Sequence, residues 1–399
     1  MKTIIIYENE DRTISALKEN GEIVELYEES KDIKKQEGNI YCGIIRDIIP
    51  GMQSAFIDIN ESKNAFIHIK DILPKASNET GNRDEKFEDY DIRKYIKEGD
   101  TILVQAKKDG EGKKGARVSK HISLTGKYLV LMPESDFITV SQKIDEKDKE
   151  DLKNKVKAIV KSEIKNEKYG IIIRTSAQGI NENYIREDLK ELIKSYKGIL
   201  RKYETKRKER KAGKLYDGYS TTKKLIIGII NNGCCEIIVN QKDKYEELEQ
   251  LLNEIENKEV YLKLENKNLL EEYSLDIELE KLQERKIWLK CGGFITIDKT
   301  EALTAIDVNS GKFVGSKKKS NKEETLLRVN KEATIEIAKQ LRLKNIGGII
   351  VIDYIDMEQE EDRKELIDML RKEAKKDRAK IQIVGFTKLD LLELTRKKL

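Results

Sequence analysis

Asp307 and Asn309 stand two residues apart in T-A-I-D-V-N-S-G-K, residues 304–312. The neighbouring Thr304, Ala305, Ile306 and Val308 suit a half-buried β-strand, so alternation places both polar side chains on one face. Asp353 ends a second strand-like run, G-G-I-I-V-I-D. Carboxylates held together at neighbouring strand ends repel unless a cation sits between them, and hard oxygen donors suit Mg²⁺ or Mn²⁺. Asn309 could then hold the Asp307 carboxylate in one orientation. On spacing alone a plainer account is the stronger one. Asp307 opens a turn at N-S-G, Asp353 is an exposed strand end, and Asp356 serves the start of the acidic helix E-Q-E-E-D.

Other stretches invite weaker chemistry. D-G-E-G-K-K-G, residues 109–115, matches G-x-G-x-x-G but is not followed by an amphipathic helix, which argues against a dinucleotide site. With Lys107, Lys108, Lys113, Lys114 and Arg117 around it, it reads as a mobile basic loop able to track a phosphate backbone. Phe56 in S-A-F-I-D and Phe66 in N-A-F-I-H fall on successive strands; such rings are either core or stacking platforms for unpaired bases, worth about 1–3 kcal/mol per base. The two histidines, His68 and His121, are poorly placed for acid–base work and are read as structural or surface residues. Cys42, Cys234, Cys235 and Cys291 show no C-x-x-C spacing, and are read as buried thiols, neither ligands nor disulfides.

These residues need elements to position them. A chain of 399 residues has room for two to four compact units. Its net charge of +4 excludes a uniformly basic nucleic-acid binder and leaves only local patches. No signal peptide or spanning segment is visible, so an intracellular, soluble protein is expected. The first strands turn at Glu19, Asn20 and Gly21 and cannot bury their apolar faces alone. Residues 37–121 give short strands separated by turn signals, which suggests a small barrel. Helices are expected over about 145–167 and 182–212, with the strand Y-G-I-I-I-R-T-S between them. Residues 194–214 hold ten Lys/Arg against two Glu, a solvated helix face or a phosphate contact. Strands L-I-I-G-I-I and E-I-I-V-N, the helix K-Y-E-E-L-E-Q-L-L-N-E-I and another β segment follow. From Trp288 the pattern is layered α/β, with Ile349–Ile352 apolar on both faces and therefore central.

Taken together, T-E-A-L-T-A-I-D-V-N-S-G-K, Q-L-R-L-K-N-I-G-G-I-I-V-I-D-Y-I-D-M and I-I-I-R-T-S-A-Q-G closely resemble the ribonuclease E/G family of bacterial endoribonucleases. G-N-I-Y-C-G-I-I, S-A-F-I-D, K-G-A-R-V-S-K-H-I-S-L-T-G-K-Y-L-V-L-M-P and W-L-K-C-G-G extend the likeness, in the family's order, over nearly the whole chain. The resemblance implies a multidomain α/β (α+β) chain. A split RNase H-like subdomain would occupy 1–36 and 215–285, an OB-fold RNA-binding barrel 37–121, a 5′-sensor domain 122–214 and a DNase I-like catalytic subdomain 286–399.

By position, Asp307 and Asp353 resemble the family's metal-chelating aspartates and Asn309 the asparagine that orients the first, which reverses the preference for the plainer account. Arg174 and Thr175 resemble the pair that grips a 5′-monophosphate, with Gly126 and Val130 in the same pocket. Phe56, Phe66 and Lys114 fall where the family's barrel contacts single-stranded RNA. The implied activity is Mg²⁺-dependent cleavage of single-stranded RNA in rRNA maturation and mRNA decay, with Mn²⁺ as the alternative ion. It would be stimulated by 5′-monophosphate ends, leave 3′-hydroxyl and 5′-phosphate products, and take place in the cytoplasm.

Many family members carry C-P-x-C-x-G soon after the segment matching K-L-D-L-L-E-L-T-R-K and donate those cysteines to a zinc shared between protomers. The sequence ends at Leu399, before that motif. No zinc is therefore expected, any homo-oligomer would form without the zinc link, and the likeness is nearer to the G branch. The competing reading is a non-catalytic RNA-binding protein derived from the same family; a pure binder, however, needs no carboxylates aimed at a phosphate.

Overall fold

The computed structural model describes every residue except 1, 32–34, 74–89, 111, 113, 143, 165–166, 231–234, 256–259 and 312–318. Lys113, Cys234 and Lys312, named above, lie outside the described residues. Met1–Ile33 with Lys224–Leu399 form one compact unit, and Lys34–Lys223 form another.

In the first unit, strands Lys2–Glu8, Arg12–Glu19 and Glu22–Ser30 make an antiparallel meander. Asn20 and Gly21 both take positive φ, 52° and 88°, as a two-residue hairpin turn requires. Ile4, Ile5 and Ile6 are all fully buried, so both faces of the first strand must be covered. Strand Cys235–Val239 pairs with it in parallel, Ile4 opposite Ile237, and Val260–Leu264 adds the next strand. Leu225, Ile226, Ile229 and Leu248 cover one face, and Leu269 and Leu275 the other.

Residues expected as the strand L-I-I-G-I-I lie instead in the helix Thr221–Ile230. Short apolar runs do not separate a buried helix from a buried strand. Here Ser220 decides it, because its Oγ accepts the amide of Lys223 at 3.2 Å and so starts a helix.

The carboxy-terminal part of this unit is a six-stranded sheet in the order Lys286–Trp288, Phe294–Lys299, Leu303–Asn309, Gly348–Asp353, Leu391–Arg396, Ile381–Phe386. Helices Lys319–Leu343 and Glu360–Ala374 cover one face through Val329, Ala333, Ile337, Leu366 and Leu370. The Gly348–Asp353 strand is interior in hydrogen-bonding order but not buried on both sides. Ile350 and Ile352 face the helices, whereas Ile349 is 53% exposed. Among the described residues, helices cover only one side of the sheet, and the other face is open.

In the second unit, strands Ile40–Ile49, Ser54–Asp58, Ala65–His68, Arg117–Ser119 and Thr101–Lys108 close into a ring, since the first pairs with both the second and the last. This five-stranded closed barrel is OB-like and is filled by Ile45, Ile57, Ile67, Val104 and Val118. A second sheet orders Ile138–Val140, Tyr169–Ile173, Leu129–Pro133 and Leu124–Thr125. Helices Glu146–Glu163 and Glu182–Glu209 pack on it, both ending earlier than expected. The longer one stops where Arg210 turns left-handed at φ 49° and its amide donates back to Lys206 and Arg207 carbonyls. Among the described residues no helix is long and apolar enough to cross a membrane.

Candidate active site

Asp307 and Asp353 are direct neighbours on parallel strands, Cα partner to Cα partner. Ile306 and Ile352 beside them point into the helix-covered core, so both carboxylates project from the open face. They lie on the face of the sheet, not in a crevice beyond the strand ends. Asn309, on the same face, donates its Nδ2 to Asp307 Oδ2 at 2.6 Å. Burial, then the charge of Asp307, then that of Asp356, pushes the Asp353 carboxyl above the usual aspartate range.

A cation relieves the disfavoured charge on Asp353, and two adjacent carboxylates suit a hard divalent ion. Among the described residues no group of three or more His, Cys, Asp or Glu stands ready for a metal. Asp307 and Asp353 are the carboxylates here that could hold such an ion, with room for water or substrate oxygens beside them. Asp356 bears on Asp353 through its charge alone.

Two supports were not legible in the sequence. Asn330, fully buried on helix Lys319–Leu343, donates to the Ile355 carbonyl at 2.8 Å and accepts the Ile355 amide at 3.1 Å. Thr334 Oγ1 lies 2.9 Å from the Tyr354 hydroxyl. Together they hold the backbone directly after Asp353. Glycines hold the other side: a Cβ on Gly293 would come 2.8 Å from the Asn309 carbonyl, and one on Gly311 2.5 Å from that of Gly292. That close backbone approach explains why C-G-G and N-S-G carry glycine.

In the second unit, Arg174 follows strand Tyr169–Ile173, and its Nη1 donates to the Gly126 and Lys127 carbonyls at 2.5 and 3.1 Å. Thr175, exposed, has its Oγ1 3.1 Å from Ser141 Oγ. Val130 stands one strand over, opposite Ile172 and Thr125. Asp188, 8% exposed, accepts the amides of Lys127, Tyr128 and Leu129 at 2.8–2.9 Å. Burial raises its carboxyl, while those amides and the charge of Arg174 pull it back. A Cβ on Gly126 would lie 2.3 Å from Asp188 Oδ1, so only glycine fits there. Asp188, 62 residues from Gly126, gave no sequence signal.

Phe56 and Phe66 are paired across the barrel wall, ring centroids 6.1 Å apart and edge-on. Ala55, Ile57, Ala65 and Ile67 point inward, which puts both rings outside the barrel core, Phe56 37% exposed. Lys114 is exposed two residues before Ala116, whose carbonyl accepts the Phe66 amide. The described part of the basic loop makes several contacts with its neighbours. Asp109 accepts the amides of Gln36 and Glu37, Lys63 donates to the Gly112 carbonyl, and Gly115 lies against Asn64. His68 Nδ1 accepts the Lys70 amide, a structural use. Cys42 and Cys235 are buried thiols, but Cys291 is only half-buried.

The Ribonuclease E/G family matches residues 123–399. Ribonuclease G of Salmonella typhimurium (strain SL1344) is 36% identical over 385 residues, which are 95% of this chain and 76% of that protein. Ribonuclease G of Haemophilus influenzae is 35% identical over 391 residues, 97% of this chain and 78% of that protein. Ribonuclease E of Synechocystis sp. is 33% identical over 372 residues, 91% and 52% of the two chains. The chain belongs to the ribonuclease E/G family.

Proposed function

We propose that this chain, an endoribonuclease of the ribonuclease E/G family, cuts single-stranded RNA with Mg²⁺ held by Asp307 and Asp353, in cytoplasmic rRNA maturation and mRNA decay. The observation that carries the reading is the in-register Asp307–Asp353 pair on an open sheet face, with Asn309 bonded to the first. An open face admits a polymer, where a closed cavity would not. When bound, the ion would supply a Lewis acid that activates water and offsets charge on the scissile phosphate. Asn309 keeps one Asp307 oxygen engaged and so fixes the direction of the other. Asn330 and Thr334 keep the turn after Asp353 from yielding. Displacement of the 3′-oxygen leaves a 3′-hydroxyl and a 5′-phosphate.

The remaining parts take matching roles. The barrel, with Phe56, Phe66 and Lys114, would stack bases and meet phosphates, and the sheet carrying Arg174 would sense the 5′ end. The amino-terminal sheet would be the RNase H-like part and the carboxy-terminal sheet the DNase I-like part.

The direct test is a 5′-monophosphorylated single-stranded oligoribonucleotide incubated with and without Mg²⁺; cleavage that persists in EDTA would remove the metal from the reading. Asn309→Ala is expected to lower the rate about ten- to a hundredfold, as loss of a ligand-orienting partner does, with the melting temperature held. At the other site, a guanidinium with a neighbouring hydroxyl suits a terminal monophosphate, while a triphosphate brings extra bulk and charge. Monophosphorylated RNA should therefore be cut faster than its triphosphorylated twin, and Arg174→Ala should erase the difference. Equal rates for the two ends on the unaltered protein would dispose of the sensor.

A further inference from the structure

On the same open face, beside the acidic pair, stands an aromatic cluster that the function above leaves unused. The hairpin Lys286–Trp288 to Phe294–Lys299 puts Trp288 opposite Phe294, with ring centroids 5.3 Å apart and nearly edge-on. The Lys286 ammonium sits over both rings, 4.1 Å from the Trp288 centroid and 3.6 Å from that of Phe294. Trp288 is nonetheless 63% exposed.

The sheet register ties this cluster to the acidic pair. Lys286, Thr296, Asp307 and Asp353 form one row across four strands, and Trp288, Phe294 and Asn309 form the next. Lys286 therefore lies two inter-strand spacings, about 10 Å, from Asp307. That is a reach a nucleotide adjoining the scissile phosphate can span. Gly292, at φ 90°, and the Gly292 amide bonded to the Leu289 carbonyl fix the hairpin turn, so the rings are held on a rigid ribbon.

We infer that Trp288 and Phe294 form a stacking platform for an unpaired nucleobase next to the cleaved bond, with Lys286 meeting the adjoining phosphate. The proposal rests on the reading of Asp307 and Asp353 as the nuclease centre. The occupant follows from the chemistry: an exposed indole stacks on any base, a cation beside it serves a polyanion, and the row Lys286–Thr296–Asp307–Asp353 offers a strand on the acidic pair a direct path to it. The platform would require the base beside the cut to be unstacked, which favours single strands over duplex.

Trp288 is the chain's single tryptophan, so its fluorescence reports this place alone. In EDTA, a 5′-monophosphorylated single-stranded oligoribonucleotide is expected to quench it with the affinity seen by anisotropy of the labelled RNA. The same RNA with an abasic site beside the cleavage position should bind without that quench. Trp288→Ala should lower kcat/KM roughly tenfold, the worth of one lost stack, and Trp288→Tyr should restore most of it. Saturating RNA that leaves the emission unchanged, or full-rate cleavage by Trp288→Ala, would overturn the platform while leaving the nuclease centre standing. A Trp288→Ala protein of smaller mass by light scattering, with RNA affinity kept, would also overturn it by assigning the face to a second copy of the chain. Undiminished cleavage by Asp307 or Asp353 variants would instead strike the reading beneath it.

Discussion

Asp353→Asn is expected to slow cleavage of single-stranded RNA in Mg²⁺ about a thousandfold or more, the scale of losing several kcal/mol of metal-borne stabilisation. RNA binding in EDTA should persist or tighten, because a negative charge leaves a face that meets a polyanion. Folding should not suffer. The Asp353 carboxyl is raised by burial, by Asp307 and by Asp356, so what it contributes to stability is present when protonated and lost as pH rises through its folded pKa. At neutral pH in EDTA the ionised group is a cost, and the asparagine variant should melt at the same temperature or higher. Mg²⁺ should raise the melting temperature of the unaltered protein and not that of the variant. Full activity of Asp353→Asn at saturating Mg²⁺ would sink the assignment, and an unmoved melting temperature of the unaltered protein in Mg²⁺ would count against binding at this pair.

Glu25→Ala should cost about 3–5 kcal/mol of stability, the penalty for stranding buried charge. Glu25 is 1% exposed in strand Glu22–Ser30. It accepts Arg342 Nη2 at 3.0 Å, Arg378 Nη2 at 2.6 Å and the Tyr27 hydroxyl at 2.8 Å. One carboxylate thus joins the amino-terminal meander to the end of helix Lys319–Leu343 and to the segment leading into strand Ile381–Phe386. Burial pushes its carboxyl up, but the bonds and charges of Arg378 and Arg342 and the Tyr27 bond leave it below the usual glutamate range. A depressed carboxylate stabilises fully above its unfolded pKa and loses that contribution as pH falls through the folded value. The gap in urea midpoint between the two proteins should accordingly narrow in acid. A variant within about 0.5 kcal/mol of the parent, the range of ordinary surface changes, would show that the cluster is not what joins these segments.

Alternation alone put two polar side chains on one face of a strand, but it did not favour a metal site over a turn. Asp307 and Asn309 interrupt a strand at a period of two, and the structure gives them one face and a hydrogen bond. What the residues left open was whether a partner carboxylate stood beside them, since register between strands 40 residues apart is not written locally. Asn330 and Asp188 were invisible for the same reason: each satisfies backbone groups of a distant segment, and nothing in their own neighbourhood marks it. L-I-I-G-I-I, residues 225–230, reads as a strand yet lies in the helix Thr221–Ile230, because an Ile-rich run suits either structure. The platform strand Lys286–Trp288 has only three residues, too few for any period to show.

The pairing of residues 2–6 with 235–239 has a further consequence for synthesis. The first strand leaves the ribosome more than two hundred residues before its parallel partner exists, with a row of backbone groups and three isoleucines unsheltered. The unit 34–223 is continuous, and its two ends meet: Lys35 Nζ donates to Thr221 Oγ1 at 2.7 Å, and the Gly218 amide to Asn39 Oδ1 at 2.7 Å. It can therefore close before the sheet around the chain's beginning does, and its closing brings the two flanking segments toward each other. Once closed, the middle of the chain shortens the effective loop that the pairing of residues 2–6 with 235–239 must close.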